Sequence, residues 1–482
     1  MTREVDVVVL GAGPVGENVA DRARAAGLEV VIVERELVGG ECSFWACVPS
    51  KTLLRSADAL RAAARVPGAA GAVTGPLDVA AVFARRNRFV SDWDDAGGAG
   101  WLASVGAELV RGQGRLDGPR RVVVALADGT EAAFAARHAV VIATGSDAAV
   151  PDIPGLADAR PWTSREATSA QRAPDRLAII GGGTVAVEMA TAYAGFGTEV
   201  TVLARSGLLG GADPFAGEAV AEGLRGLGAS VRLGTHPLRV ERDASGEVVL
   251  TLSSEESLVA DEVLVATGRT PRTHGLGLET VGLEPGAWID VDDTMAVRGA
   301  GHERPEPWLY AVGDVTHRAL LTHQGKYQAR AAGDVIAARA LGRPVDDAPW
   351  GVHVATADHA AVPAVVFSEP EVAYVGLTEA VARERGVDVR TVEVGFSSVS
   401  GAGIHSDGPE GRAKLIVDAA NSVVVGATFV GQDVSELLHA ATTAIVGEVP
   451  VTRLWHAVPA FPTVSEIWLR LLEALGRPEV AA

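Results

Sequence analysis

The strongest constraint on the fold is a glycine turn that occurs twice, each time between an apolar run and a helical stretch. Val5 to Leu10 is a run of the kind buried on both faces of a parallel sheet. Gly11-Ala12-Gly13-Pro14-Val15-Gly16 follows. A helical stretch then reaches Ala26, Gly27 stops it, and a second strand, Val30 to Val33, ends at Glu34. The pattern returns with Leu177 to Ile180, Gly181-Gly182-Gly183-Thr184-Val185-Ala186, a helix to about Phe196, and Val200 to Leu203. Gly11 precedes Glu34 by the same interval that separates Gly181 from Ala204. Two strand–turn–helix–strand units in register predict an α/β chain with two Rossmann-like domains.

The rest of the chain fits around these units. Residues 50–95 read as helical and 105–145 as short strands, with a hairpin signal at Asp128-Gly129. Pro151, Pro154 and Gly155 mark a linker. Residues 308–312 form another buried strand before Gly313-Asp314, and a helix runs from about Gln324 to Leu341. Beyond the boundary from Pro344 to Pro349, strands at Ala364–Phe367, Ala413–Val417 and Val423–Val430 alternate with helices at 433–447 and 463–475. That segment reads as a separate α+β unit.

Composition narrows the function classes. The chain has 482 residues, enough for about three domains. It is 48% hydrophobic and 21% charged, which supports a large core. A formal charge of −19 argues against nucleic-acid and anionic-membrane partners. Lysine occurs only at Lys51, Lys326 and Lys414, and cysteine only at Cys42 and Cys47. Two cysteines make neither a disulfide-rich scaffold nor a four-thiolate zinc site, and no metal is expected. The first residues read as a strand rather than a leader, and no apolar run approaches the roughly 20 residues needed to span a bilayer. The expected compartment is the cytoplasm.

Each glycine turn lets the backbone approach a pyrophosphate at a helix N-terminus. Gly11, Gly13, Pro14 and Gly16 form the first such turn, with Glu34 placed to accept the hydroxyls of an adenosine ribose and Arg35 beside it. Gly181, Gly183 and Ala186 form the second. There the acidic position is Ala204, followed by Arg205, a combination suited to a 2′-phosphate. NADPH is therefore preferred, with NADH the alternative. Cys42 and Cys47 lie in the run Gly39-Gly40-Glu41-Cys42-Ser43-Phe44-Trp45-Ala46-Cys47-Val48-Pro49-Ser50-Lys51. In a reducing compartment a pair able to close a small loop points to redox activity, with packed core cysteines or a transient metal site as the alternatives.

Taken in order, these motifs resemble the class I pyridine nucleotide–disulfide oxidoreductases, over essentially the whole chain. The matching elements are the first glycine turn, the Gly-Gly-x-Cys-x4-Cys-x-Pro-Ser-Lys run, and Ala143-Thr144-Gly145-Ser146. The second turn with Glu188, Ala266-Thr267-Gly268-Arg269, Ala311-Val312-Gly313-Asp314 and Pro462-Thr463-x-x-Glu466 complete them. The resemblance implies a homodimer with an FAD-binding domain (1–150 and 271–345), an NAD(P)-binding domain (151–270) and an α+β dimerisation domain (346–482). FAD would lie on the first turn, with Glu34 at its ribose and Asp314 at its ribityl chain. Gly40, Gly114, Ala143, Thr144, Gly145, Gly268, Gly313 and His323 complete the nucleotide-binding set. Lys51, paired with Glu188, would sit by the flavin. Cys47 would be the flavin-proximal thiolate and Cys42 the exchanging thiol.

The chain departs from the family pattern at one chemical position. The family's disulfide reductases carry His-x-His-Pro-Thr-x-x-Glu, whereas this chain reads Pro459-Ala460-Phe461-Pro462-Thr463-Val464-Ser465-Glu466. Phenylalanine transfers no proton, so Glu466 lacks the histidine it would orient. His456 is the one nearby substitute, and a surface or core histidine explains it equally well. Phe44 and Trp45 replace smaller residues between the cysteines, and Thr184 stands where a large residue often screens the nicotinamide. No C-terminal cysteine pair follows, which disfavours mercuric and high-molecular-weight thioredoxin reductases. The expected acceptor is a small disulfide, with a quinone, metal ion or other small acceptor as the alternative. A non-catalytic flavin-binding sensor is the third reading.

Overall fold

The computed structural model describes residues 1–299 and 307–477; residues 478–482 of the expected C-terminal domain lie outside that range. The chain divides into two units. Met1–Pro49, Asn87–Ala148 and Arg269–Asp358 form the first, and Ser50–Arg86, Ala149–Gly268 and His359–Ala482 the second.

In the first unit the valine-rich strand β1 (Thr2–Leu10) is the middle of a sheet. It pairs in parallel with β2 (Val30–Glu34) on one side and with Glu131–Ile142 on the other. Glu108–Arg111 extends the sheet beyond β2, and Leu309–Ala311 adds in parallel to Glu131–Ile142. Val5, Val7, Val8 and Val9 are wholly buried, as a strand covered on both faces requires. α1 (Pro14–Ala25) packs against a long helix, Thr322–Ala340. The early part of Glu131–Ile142 also pairs antiparallel with Arg121–Ala125, across the turn at Asp128-Gly129.

The second unit contains the repeat. Its parallel strands run in the order Ser230–Leu233, Glu199–Ala204, Arg176–Ile180, Glu262–Val265, with the helix Thr184–Gly195 as crossover. Residues 237–260 form a three-stranded antiparallel sheet. The C-terminal part is a five-stranded antiparallel sheet with helices such as Leu438–Val446 and Ile467–Leu475, an α+β arrangement. Leu53, Leu54, Val82 and Phe83 join a core with Met189 and Tyr193, so the helical residues 50–86 pack within this unit.

Element ends differ from the sequence reading for local reasons. The strand expected over 308–312 is confined to Leu309–Ala311, because Val312 caps a tight turn at Gly313–Thr316. The helix expected from Gln324 begins at Thr322. The C-terminal helices each open with a 3-10 turn, at Val434–Leu437 and Val464–Glu466. No helix among the described residues is long and apolar enough to cross a membrane.

Candidate redox centre

The two glycine turns have the same internal geometry. The Gly11 amide donates to the Val33 carbonyl at 2.8 Å, and that of Gly181 to the Leu203 carbonyl at 2.9 Å. A Cβ on Gly11 would meet the Ala143 oxygen at 2.5 Å; one on Gly181 would meet the Ala266 oxygen at 2.2 Å. A Cβ on Gly16 would fall 1.9 Å from the Gly11 oxygen, so the first turn closes only with glycine there. Gly13 and Gly183 cap their helices, face open space, and offer no side-chain cap to the helix amides. Such uncapped N-termini suit an anionic phosphate. Ala186 is wholly buried in the second helix.

Glu34 faces its turn. One carboxylate oxygen accepts from the Ala12 amide and the other from the Glu36 amide, both at 2.8 Å. Arg35 reaches Gln113 at 3.4 Å. The neighbouring Gly114 has a packing reason, since a Cβ would meet Leu10 at 2.7 Å. Asp314 accepts from the Ser146 hydroxyl at 2.5 Å, and Arg269 donates to that hydroxyl at 2.5 Å. Thr144 donates to the Arg272 carbonyl, and the Arg272 amide to the Gly145 carbonyl. The Gly313 amide donates to Gln328, which with Gln324 donates to buried Asp358. Those bonds fix the start of the Thr322 helix beside Asp314. His323, on its first turn, is exposed. Gly268 accepts from the Ala149 amide in the second unit, and Arg205 is exposed just after its strand.

The cysteine loop is held from both ends. The Gly39 amide donates to the Ala12 carbonyl at 2.8 Å, and a Cβ on Gly40 would meet Gly13 at 3.0 Å. This contact seats α2 (Gly40–Phe44) against the first glycine turn. From the other side, Arg272 donates to Glu41 at 2.6 Å and pairs with Asp147 at 2.6 Å. Burial opposes the Arg272 charge, but the two carboxylates outweigh it and raise its pKa. α3 (Cys47–Ala64) then begins at the second cysteine.

Cys42 and Cys47 are thiols in this structure, Cys42 hydrogen-bonded to Cys47. The Cys47 sulfur also lies 3.3 Å from the Thr322 hydroxyl. The hydrogen bond to Cys47 raises the Cys42 pKa strongly, burial adds to it, and Thr322 and the Lys326 charge work against it. Phe44 and Trp45 stack obliquely, 5.7 Å apart, with Phe44 buried.

Lys51 is one turn beyond Cys47 on α3. Its ammonium donates to Glu188 at 2.7 Å and lies 5.0 Å from the Phe367 ring centre. Glu188 is buried, and its other oxygen accepts from the Phe367 amide at 3.1 Å. Both carboxylate oxygens are satisfied, which holds the lysine head in one place.

The C-terminal motif is different. Phe461 is 73% exposed. Glu466 is buried; one oxygen takes a 3.3 Å bond from Arg470 and the other has no partner. His456 is exposed beyond the short helix Val451–Leu454 and is not brought to Glu466. Among the described residues no cluster of His, Cys, Asp and Glu is arranged to hold a metal ion.

Arg272, Glu41, Asp147, Thr322 and Lys326 were not among the candidate residues from sequence. Glu41 adjoins Cys42 and Thr322 adjoins His323, but no local pattern joins them to partners far along the chain.

Fold and site together define a two-nucleotide oxidoreductase with a dithiol centre. Residues 5–333 match the family model for pyridine nucleotide-disulphide oxidoreductase, and residues 362–471 the dimerisation domain of that family. The chain belongs to the pyridine nucleotide–disulphide oxidoreductases. It is 31% identical over 467 residues to a mercuric reductase of Staphylococcus aureus, covering 96% of this chain and 81% of that protein. It is 33% identical over 483 residues to a dihydrolipoyl dehydrogenase of Thermus scotoductus, covering 98% of each. The Cu(II) complex of the HOCl-induced flavoprotein disulfide reductase RclA from Escherichia coli superposes with a TM-score of 0.82 at 25% identity, covering 99% of this chain and 100% of that one. Members of the family bind FAD and use NAD(P)H. The open, uncapped turn at Gly13 and the inward Glu34 carboxylate fit the nucleotide part of FAD.

Proposed function

We propose that this chain is a homodimeric FAD enzyme that takes electrons from NAD(P)H and delivers them through Cys42 and Cys47 to a small acceptor. FAD would be held by segments 1–150 and 271–345, NAD(P)H by 151–270, and the partner subunit by 346–482, with the cytoplasm as compartment. Bound FAD supplies the two-electron carrier between nicotinamide and disulfide. In the net reductive half, the hydride's two electrons break the Cys42–Cys47 bond. Its proton stays on Cys42, and Cys47 is left as the thiolate. Thr322 supports this assignment by placing a hydroxyl at the Cys47 sulfur. Lys51, fixed by Glu188, holds a cation one turn from Cys47. Arg205 beside Ala204 favours NADPH.

The observation that carries the reading is the thiol pair, clamped between the Gly13 turn and Arg272. A low-molecular-weight disulfide is the first acceptor class. Cys42 would attack it, and the leaving thiolate would need a proton. Exposed Phe461 and the unpartnered Glu466 oxygen favour a second reading, an acceptor with no thiolate leaving group, such as a metal ion or quinone. The mercuric reductase relatives and the Cu(II)-bound neighbour support the metal-ion member of that class.

The test is an anaerobic titration of the yellow protein with NADPH and NADH, then turnover on disulfides, quinones and metal ions. Bleaching with a new long-wavelength band supports the dithiol route. No bleaching with either nucleotide refutes the enzyme reading. Full turnover by Cys47→Ser removes the pair from the electron path.

A further inference from the structure

The first unit reaches as far as Asp358, and its last segment is tied to the helix Thr322–Ala340. The Ala355 amide donates to the Asp293 carbonyl at 2.8 Å. The Tyr327 hydroxyl donates to the Val354 carbonyl, and the Ala357 amide to the Tyr327 hydroxyl, both at 3.3 Å. These bonds deliver the Asp358 carboxylate to the interior, where its side chain is 1% exposed. Three donors converge on it. Gln324 reaches one oxygen at 2.7 Å; Gln328, at 2.9 Å, and Arg318, at 3.5 Å, reach the other. Arg318 is also paired with Asp293.

The direction of these bonds is fixed from their far end. Both glutamines are buried, Gln328 completely. A backbone amide only donates, so the 2.8 Å bond from Gly313 sets the Gln328 oxygen towards Gly313 and its NH2 towards Asp358. Gly313 opens the turn Gly313–Thr316, which carries Asp314. Gln324 lies two residues past Thr322, in the first turn of a helix whose N-terminus has no side-chain cap. One oxygen of Asp358 is therefore linked through Gln328 to the turn that presents Asp314. The other is bonded to the helix turn that presents the Thr322 hydroxyl to Cys47 at 3.3 Å.

We infer that Asp358 is a positioning residue for both halves of the redox centre. Through Gln328 it orders the Asp314 turn for the ribityl chain of FAD, and through Gln324 it sets Thr322 against the Cys47 thiolate. The inference rests on the reading of FAD at Asp314 and of Cys47 as the flavin-proximal thiolate. A carboxylate suits the task because it offers two acceptor oxygens to separate donors, and bonds to a charged acceptor are the stronger kind. Asp358 lies beyond the segments 1–150 and 271–345 expected from sequence to hold FAD.

Because the bonds run in one direction, they can be reversed. Asp358→Asn keeps an oxygen for Gln324 but turns an NH2 towards that of Gln328. It is expected to weaken FAD binding by about tenfold or more, the loss of one buried bond to a charged acceptor, read from the flavin fluorescence released on dilution of the holoprotein. Gln328→Glu sets a second carboxylate against Asp358 and is expected to do the same. Combined, the two substitutions restore the pattern with the charge moved: the new carboxylate accepts from Gly313 and from the new amide. FAD affinity should return to within about threefold of the parent, an outcome that loss of packing does not produce. Gln324→Met cuts only the other arm. It should keep FAD and lose much of the long-wavelength band per bound flavin on two-electron reduction. Should Asp358→Asn not fold, Gln328→Glu against the double variant makes the same comparison. Unchanged FAD affinity in the single variants, or a double variant no tighter than the weaker single one, overturns the inference. An unchanged band in Gln324→Met overturns its Thr322 half. A parent protein that binds no FAD refutes the underlying reading, and the inference with it, before any variant is made.

Discussion

Neutralising the Lys51–Glu188 pair tests whether a buried carboxylate fixes the cation one turn from Cys47. Glu188→Gln keeps an oxygen for the Phe367 amide but turns an amide NH2 towards the Lys51 ammonium, replacing a 2.7 Å charged hydrogen bond with two facing donors. A hydrogen bond to a charged group contributes about 1.5–3 kcal/mol. The Glu188 side chain is 4% exposed but that of Lys51 is 35% exposed, so the lower end applies. About 1.5 kcal/mol corresponds to roughly tenfold in a rate limited by the lysine's position. Single-turnover reduction by NADPH, followed anaerobically at the flavin band, should slow by about that factor in Glu188→Gln and at least as much in Lys51→Met. The double variant should be little worse than Lys51→Met alone, because the second change removes a partner already gone. If Glu188→Gln reduces as fast as the parent, or the two losses simply multiply, the pair does not position Lys51.

Other outcomes follow from the same geometry. Gly16→Ala places a Cβ 1.9 Å from the Gly11 oxygen and forces the turn open; it should purify with much less bound FAD, read from the flavin-to-protein absorbance ratio. Phe461→His offers the unpartnered Glu466 oxygen an imidazole to orient, and should raise turnover with small disulfides by about 10²-fold, the lower range for a general acid. An unchanged rate would show that proton supply does not limit that acceptor. Burial pushes the Glu17 carboxyl up to about 7, above roughly 4.3 unfolded, so it costs stability progressively as pH rises from about 4 to 7, and the full cost is present above 7. Glu17→Gln should therefore raise the melting temperature at pH 8, by an amount that falls away towards pH 5.

Much of the candidate site is legible in sequence because it is local. The tight turn Gly11–Gly16, the strand that ends at Glu34 and the spacing of Cys42, Cys47 and Lys51 are consecutive features. Their function depends on backbone conformation over a few residues, which glycine and helix periodicity encode directly. Duplication of the turn made the two-nucleotide plan readable, and equal intervals became equal hydrogen-bond geometry at Gly11 and Gly181. Phe461 is a departure from the family pattern that the sequence shows, though only the fold showed Glu466 buried with one oxygen unpartnered.

Other features are decided by the tertiary structure, because they join residues that no spacing relates. Arg272 meets Glu41 across 231 positions, and Thr322 meets Cys47 across 275. Electrostatic fields also ignore chain order. The sequence by itself determined the turns, the cysteine pair and the family they belong to. Packing alone decided which distant charges face that pair, since burial and proximity set the cost of ionising a thiol and both are properties of the assembled fold.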